Sequence, residues 1–99
     1  MDIHFRSQDQ VFVWDSEKAS GNVRKHGVSF ETASQVFFDR LIQIEDASID
    51  EEVRDAAIGM TEDLMLLLVV HILREDDTIR IISAREATRK KRLSYENSK

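Results

Sequence analysis

Four arginines, Arg80, Arg85, Arg89 and Arg92, fall in the segment 80–92, with Tyr95 just beyond them and His71 before them. A second group, Lys25 and His26, sits inside "RKHGVSFETA", residues 24–33. Arginine, lysine, histidine and tyrosine are the side chains that metal-free RNA cleavage uses. One group takes the proton of a ribose 2′-OH and one protonates the leaving 5′-oxygen. Guanidinium groups hold the charge of the phosphorane between them. Other chemistries lack their residues. There is no cysteine, and the histidines at 4, 26 and 71 are dispersed without metal-ligand spacing. No Gly-rich phosphate loop and no serine-triad signature is present, so no metal and no cofactor is expected.

Each group also has a structural account. A solvated basic face pairing with the acidic segment 45–55 explains the arginines of the last helix, and on residue types alone it is the stronger account. Lys25 and His26 suit the last turn of a helix, where the dipole favours cations. A histidine on a central strand reads first as a satisfied core residue. A strand arginine such as Arg80 either pairs with a carboxylate or lines a ligand surface.

The elements that must position these residues follow from pattern. The 99-residue chain is 41% hydrophobic and 33% charged, enough for one compact core over 1–99 and too apolar for a disordered chain. "QVFVW" (10–14) reads as a strand, which residues 1–9 either extend or precede as a loose segment. Asp15 is an N-cap for a helix over 16–25, and Gly27 ends it in the C′ role. Ser29 caps the next helix, whose Phe30, Ala33, Val36 and Phe37 share a face. Strands are expected at 41–46, 52–60, 64–73 and 79–84. The apolar run 64–73 is the central strand, too short to span a bilayer. In 79–84, alternation puts Arg80 and Ile82 on one face and Ile79, Ile81 and Ser83 on the other. The last helix is expected to open at "SARE", with Ser83 and Glu86 as a capping box, and to run to about Asn97. Arg85, Arg89 and Arg92 then form one stripe at i, i+4, i+7, and the helix start beside Arg85 adds free N–H groups to an anion site. The fold class is α+β: an antiparallel β-sheet packed by two N-terminal helices and a C-terminal basic helix.

Net charge is −5, but it is unevenly spread. Segment 39–63 holds nine acidic residues and two arginines, for −7. Segment 80–99 holds seven basic residues and two glutamates, for +5. An acidic protein with a basic pole fits an anionic ligand at that pole. No signal peptide is visible, and absence of cysteine is compatible with a reducing compartment, so a cytoplasmic protein away from membranes is expected.

Two stretches together resemble a known family. The pattern W-D-x-x-K-x-x-x-N-x-x-K-H-G-V-S-F is met by Trp14, Asp15, Lys18, Asn22, Lys25, His26, Gly27, Val28, Ser29 and Phe30. The pattern R-I-I-S-A-R-x-A-T-R…R-x-x-Y is met by Arg80, Ile81, Ile82, Ser83, Ala84, Arg85, Ala87, Thr88, Arg89, Arg92 and Tyr95. These resemble the BrnT (DUF497) family. The resemblance implies a RelE-like fold and the toxin of a type II toxin–antitoxin pair, an endoribonuclease that inhibits translation. It implies a BrnA-like antitoxin with a ribbon-helix-helix part, through which the complex meets operator DNA. Lys25, His26, Arg80 and Arg85 become the candidate catalytic residues. Arg89, Arg92, Tyr95 and His71 become candidate RNA contacts. A binding module without catalysis, acting as co-repressor with its antitoxin, is the alternative. The chain departs from the family pattern where a Gly-Arg turn commonly precedes the central strand: here it has Leu64 and Met65.

Overall fold

A computed structural model describes residues 1–98. The order of elements is β1 (Asp2–Ser7), β2 (Gln10–Asp15), α1 (Ser16–His26), α2 (Phe30–Ser34), a 3₁₀ turn (Gln35–Phe38), β3 (Gln43–Asp46), β4 (Asp55–Met60), β5 (Leu66–Leu73), β6 (Ile79–Glu86) and α3 (Arg89–Asn97). The six strands form one sheet in the order β1-β2-β6-β5-β4-β3. The α+β class holds, but the sheet is mixed, because β2 and β6 run parallel. That pairing follows from connectivity: the chain leaves β2 into α1 and returns to β2's side only after β3, β4 and β5 have been laid down in turn.

Residues 1–9 are neither loose nor a prolongation of β2. They supply a strand of their own, paired residue for residue from Asp2↔Asp15 to Ser7↔Gln10. Gln8 and Asp9 make the two-residue turn, and both have positive φ (49° and 67°), as a hairpin of this length requires.

The helices on one sheet face enclose the main core. Phe12 and Trp14 from β2, Ile79, Ile81 and Ala84 from β6, Leu67 and Val69 from β5 meet Val28, Phe30, Ala33 and Val36. The expected apolar stripe of α2 is therefore the packing face. It is split between a short α-helix and the 3₁₀ turn, with Phe37 only half-buried. Asp15 caps α1 by accepting from the Lys18 N–H at 3.0 Å, and Ser29 caps α2 by accepting from Thr32 N–H at 3.1 Å. Gly27, at φ +71°, closes α1 in the left-handed region. The opposite sheet face has a smaller core, Ala56, Ile58, Leu66 and Leu68 under Tyr95 of α3. No helix among the described residues is long and apolar enough to cross a membrane.

Two backbone positions decide how closely the layers approach. A Cβ on Gly59 of β4 would lie 2.9 Å from both the Cβ and the carbonyl oxygen of Val36, so the 3₁₀ turn rests directly on bare backbone. Gly59→Ala is expected to lower unfolding free energy by about 1–3 kcal/mol in a denaturant titration, the usual cost of overpacking. Leu64, at the turn before β5, holds φ +63° while 78% exposed. A leucine there carries left-handed strain and buries nothing in return, so Leu64→Gly is expected to raise stability by about 1 kcal/mol. An unchanged or lower denaturation midpoint would contradict that assignment.

Candidate active site

The parallel pairing of β2 with β6 is only two residue pairs long, Phe12↔Ile79 and Val13↔Arg80. Beyond it the edge of β6 faces α1. There the Asn22 side chain takes the part of a missing strand. Its Oδ1 accepts from the Ala84 N–H at 3.1 Å and its Nδ2 donates to the Ala84 carbonyl at 2.8 Å. The same Nδ2 donates to the Val28 carbonyl at 2.9 Å, just past Gly27. Asn22 is buried, at 7% exposure, as an amide with its polar atoms satisfied can be. The result fixes the last turn of α1, with Arg24, Lys25 and His26 all exposed, against the C-terminal end of β6.

Arg85 lies at that end, and it is on a strand. β6 continues to Glu86, with Leu68↔Arg85 and Leu67↔Glu86 in register with β5. The expected helix start at Ser83 is therefore corrected. The N-cap is Thr88, which accepts from the Lys91 N–H at 3.3 Å, and α3 begins at Arg89. Strand pairing with the apolar β5 outweighs the local capping signal of "SARE", a tertiary preference that no local motif encodes. The continuous Arg85–Arg89–Arg92 stripe goes with it, since Arg85 belongs to another element.

A β-bulge repairs part of what is lost. Val70 pairs with Ser83 and His71 with Ile81, which leaves Ile82 as an extra residue on β6. The side-chain alternation reverses across it. Ala84 takes the core side, and Ser83 moves to the side of Arg80, opposite to the expected placement. Arg80 and Arg85, five residues apart, would otherwise point to opposite faces; the bulge puts both on the face that α3 partly covers. They stay about 13 Å apart along the strand, four ladder steps at about 3.3 Å per residue.

Their surroundings differ. Arg80 is half-buried and makes two bonds to Asp2 of β1, both 3.2 Å. Hydrogen bonding to Arg80 holds the Asp2 carboxyl below the usual carboxylate range. Arg85 is exposed. α3 is anchored on one flank, where Lys91 pairs with Glu45 at 2.6 Å and Gln43 donates to Ser98 Oγ at 2.6 Å. At 100° per residue, Arg89 and Arg92 lie on the other flank, towards the uncovered half of the sheet and Arg85. The first turn of α3 has no acidic residue and carries Arg89, Lys90 and Lys91, against the preference of the helix dipole. Exposed cations thus stand at the end of α1, at Arg85 of β6 and in the first turn of α3, with Glu86 exposed beside Arg85.

Two expected RNA contacts are interior. His71 is 5% exposed on the helix side of the sheet, its ring edge-on to Phe37 at 4.8 Å and its Nδ1 3.2 Å from the Val69 carbonyl. Burial pushes its imidazole below the ordinary value, which favours the neutral form. Tyr95 is 2% exposed, and its hydroxyl donates to Asp39 Oδ2 at 2.5 Å. The same carboxylate accepts from Met60 N–H at 2.7 Å and, through Oδ1, from Leu41 N–H at 2.9 Å. Neither ring presents a face to a ligand in this structure; Tyr95 anchors α3 instead.

A family model described as "Ribonuclease toxin, BrnT, of type II toxin-antitoxin system" matches residues 14–91. The chain belongs to the BrnT family. The solved structure of the Brucella abortus ribonuclease toxin BrnT is similar at 28% identity and a TM-score of 0.58, covering 77% of this chain and 94% of that one. No curated protein matches. β1 of this BrnT chain lies ahead of the family match, so the strand that holds Arg80 through Asp2 is outside the shared segment.

Within the BrnT motif, the structure gives Asp15, Gly27 and Ser29 their expected capping roles. Lys25 and His26 stand exposed at the end of α1, Arg85 stands exposed near the C-terminal end of β6 on the face that α3 partly covers, and Arg80 lies near the start of β6. Sequence reasoning missed Asn22 and Asp39 as organising groups. Asn22 had one signal, an amide amid a helix where it is a poor former, which calls for a backbone partner elsewhere.

Tyr95 is the chain's one tyrosine, so its titration can be read alone. Desolvation first, and then the bond to the Asp39 carboxylate, push its phenol up to about 12 from an ordinary value near 10. The fold therefore binds this proton more tightly than the unfolded chain does. The stabilisation is complete below pH 10 and is lost as pH rises towards 12. Absorbance of the phenolate near 295 nm should show a midpoint about two units above free tyrosine (~10) while the protein is folded. A midpoint near 10 would place the hydroxyl in water.

Proposed function

We propose that this BrnT chain is an endoribonuclease that cleaves RNA by internal attack, with no metal, at the C-terminal end of β6. The observation that supports the reading is the bonding of Asn22 to Ala84 and Val28, which ties the helix that ends in Lys25 and His26 to the strand that carries exposed Arg85. Membership of a family described as ribonuclease toxins supplies the reaction class.

His26 or Lys25 takes the proton of the 2′-OH as its oxygen attacks phosphorus, and the other delivers a proton to the departing 5′-oxygen. The P–O5′ bond breaks, leaving a 2′,3′-cyclic phosphate and a 5′-hydroxyl. Arg85 neutralises the phosphorane, and Arg89 and Arg92 hold flanking phosphates. Arg80, about 13 Å from Arg85 along the strand, serves a neighbouring phosphate and not the reacting one. His71 and Tyr95 act from the interior by holding the sheet and α3.

In the cell the same basic surface is covered by a BrnA-like antitoxin with a ribbon-helix-helix part, and the pair meets operator DNA through that part. Free toxin cuts RNA in the cytoplasm and stops translation.

The test uses a short single-stranded RNA and a copy with one 2′-deoxy residue at the cut site, both with a chelator present. Cleavage of the all-ribose strand alone is expected. His26→Ala and Arg85→Ala should each lose about 10²-fold or more in rate while remaining folded. Cutting of the deoxy strand, or loss of all activity in chelator, would overturn the mechanism. Purified wild-type protein inert on every RNA would favour a co-repressor without catalysis.

A further inference from the structure

We propose that Asn22 is a positioning residue for RNA cleavage: its carboxamide sets the register between the α1 turn bearing Lys25 and His26 and the strand end bearing Arg85. This rests on the assignment of those three residues to catalysis.

The geometry leaves the task to Asn22. β2 covers β6 only as far as Arg80, so no strand ladder fixes the rest of that edge to what lies beside it. α1 could slide or rotate along the edge if it were held by apolar contact alone, since Asn22 is the buried residue of this helix. The neighbouring helix residues do not lock it either: Val23 is 48% exposed, and a Cβ on Gly21 would meet nothing closer than the Arg24 guanidinium at 3.7 Å. What does lock it is directional. One amide satisfies both the N–H and the C=O of Ala84, which fixes position along β6 to a single residue. The third bond, to the Val28 carbonyl, ties in the chain after Gly27 and so fixes where α1 stops. His26 is one helical turn beyond Asn22, and Arg85 is the next residue after Ala84. An error at the amide is passed on to the distance between the proton-transfer groups and the guanidinium. Misplacement on the order of 1 Å costs about 10²-fold in rate without removing any reacting group.

A residue that only stabilises the fold would lower the melting temperature and leave the turnover of the folded fraction alone. The experiment therefore measures kcat and KM on a short single-stranded RNA, at a temperature where each variant is folded. The variants are Asn22→Ala, Asn22→Asp, His26→Ala, Arg85→Ala, Val36→Ala and Gly21→Ala. Val36 is fully buried on the 3₁₀ turn, away from the joint, and Val36→Ala is the control for lost stability. Gly21→Ala controls for changes on α1 itself.

Asn22→Ala is expected to lower kcat by about tenfold or more with KM within about twofold, the pattern of an interaction that matters in the transition state. Asn22→Asp keeps the acceptor for Ala84 N–H but turns a second acceptor oxygen towards the Ala84 and Val28 carbonyls, so it should lose at least as much kcat as Asn22→Ala. Val36→Ala and Gly21→Ala should keep wild-type kcat. Unchanged kcat in Asn22→Ala, with His26→Ala and Arg85→Ala inactive, would overturn the positioning role and leave the catalytic assignment standing. Full activity in His26→Ala and Arg85→Ala would overturn that assignment itself. Equal loss in Val36→Ala would reduce Asn22 to a general stabiliser and overturn the proposal.

Should neither Asn22 variant fold, Gly27→Ala decides. A Cβ there has nothing within 4 Å, so the change adds only left-handed strain at the same joint and keeps the amide. Its kcat is expected to fall at constant KM, and wild-type kcat would overturn the proposal.

Discussion

A β-strand edge that is left half-paired must find partners for its N–H and C=O groups, and β6 is such an edge. Its parallel pairing with β2 has only two residue pairs, Phe12↔Ile79 and Val13↔Arg80. In an interior position, an orphan peptide group costs about 1–3 kcal/mol. Asn22 removes that cost at Ala84 and at Val28 with one side chain. The helix that carries it is then bound to the sheet through the strand's own backbone. The corner at Gly27, the cap at Ser29 and the entry of Phe30 into the core all follow from where that helix ends. The unusual feature of this sheet, its short parallel pair, thus generates the need for the amide.

The two basic helices are arranged on different physical grounds. In α1, Glu17 is near the start and Arg24, Lys25 and His26 are at the end, in agreement with the dipole. In α3 the cations crowd the start, where the dipole opposes them. Packing, not helix electrostatics, holds α3 down: Tyr95 is buried over Ile58, Leu66 and Leu68 and bonded to Asp39. The surface ion pair of Lys91 with Glu45 adds little by comparison, since exposed pairs contribute about 0–1 kcal/mol. A helix anchored by one aromatic residue can carry cations that disfavour it, and the resulting potential is available to an anion.

Much of this was legible in the residue pattern. The caps at Asp15 and Ser29, the left-handed Gly27 and the apolar β5 are local features with local physics, and each stands where the sequence places it. The α+β class followed from them. What could not be read was set at long range. β1 pairs through a turn of Gln8 and Asp9, residues whose positive φ gives a weak signal beside Asn-Gly. The parallel contact depends on which strands end up adjacent. "SARE" has every mark of a helix start and is a strand, because β5 offers it a ladder. The histidine at 71 read first as a core residue and is one. The candidate residues were legible as a list, whereas their surroundings were not: Asn22 ties α1 to β6 at Ala84, next to Arg85, while Arg80 pairs with Asp2 about 13 Å away by strand rise.

The bulge at Ile82 turns spacing into an inherited quantity. On a regular strand, two residues five apart belong to opposite worlds, one facing the core and one facing water. Here one supernumerary residue changes an odd separation into an even one. The identity of that residue is secondary; what matters is that it is counted. A deletion of a single residue between Arg80 and Arg85 would send one arginine through the sheet to the wrong side. In this strand, the count of residues between the two arginines decides which face each of them meets.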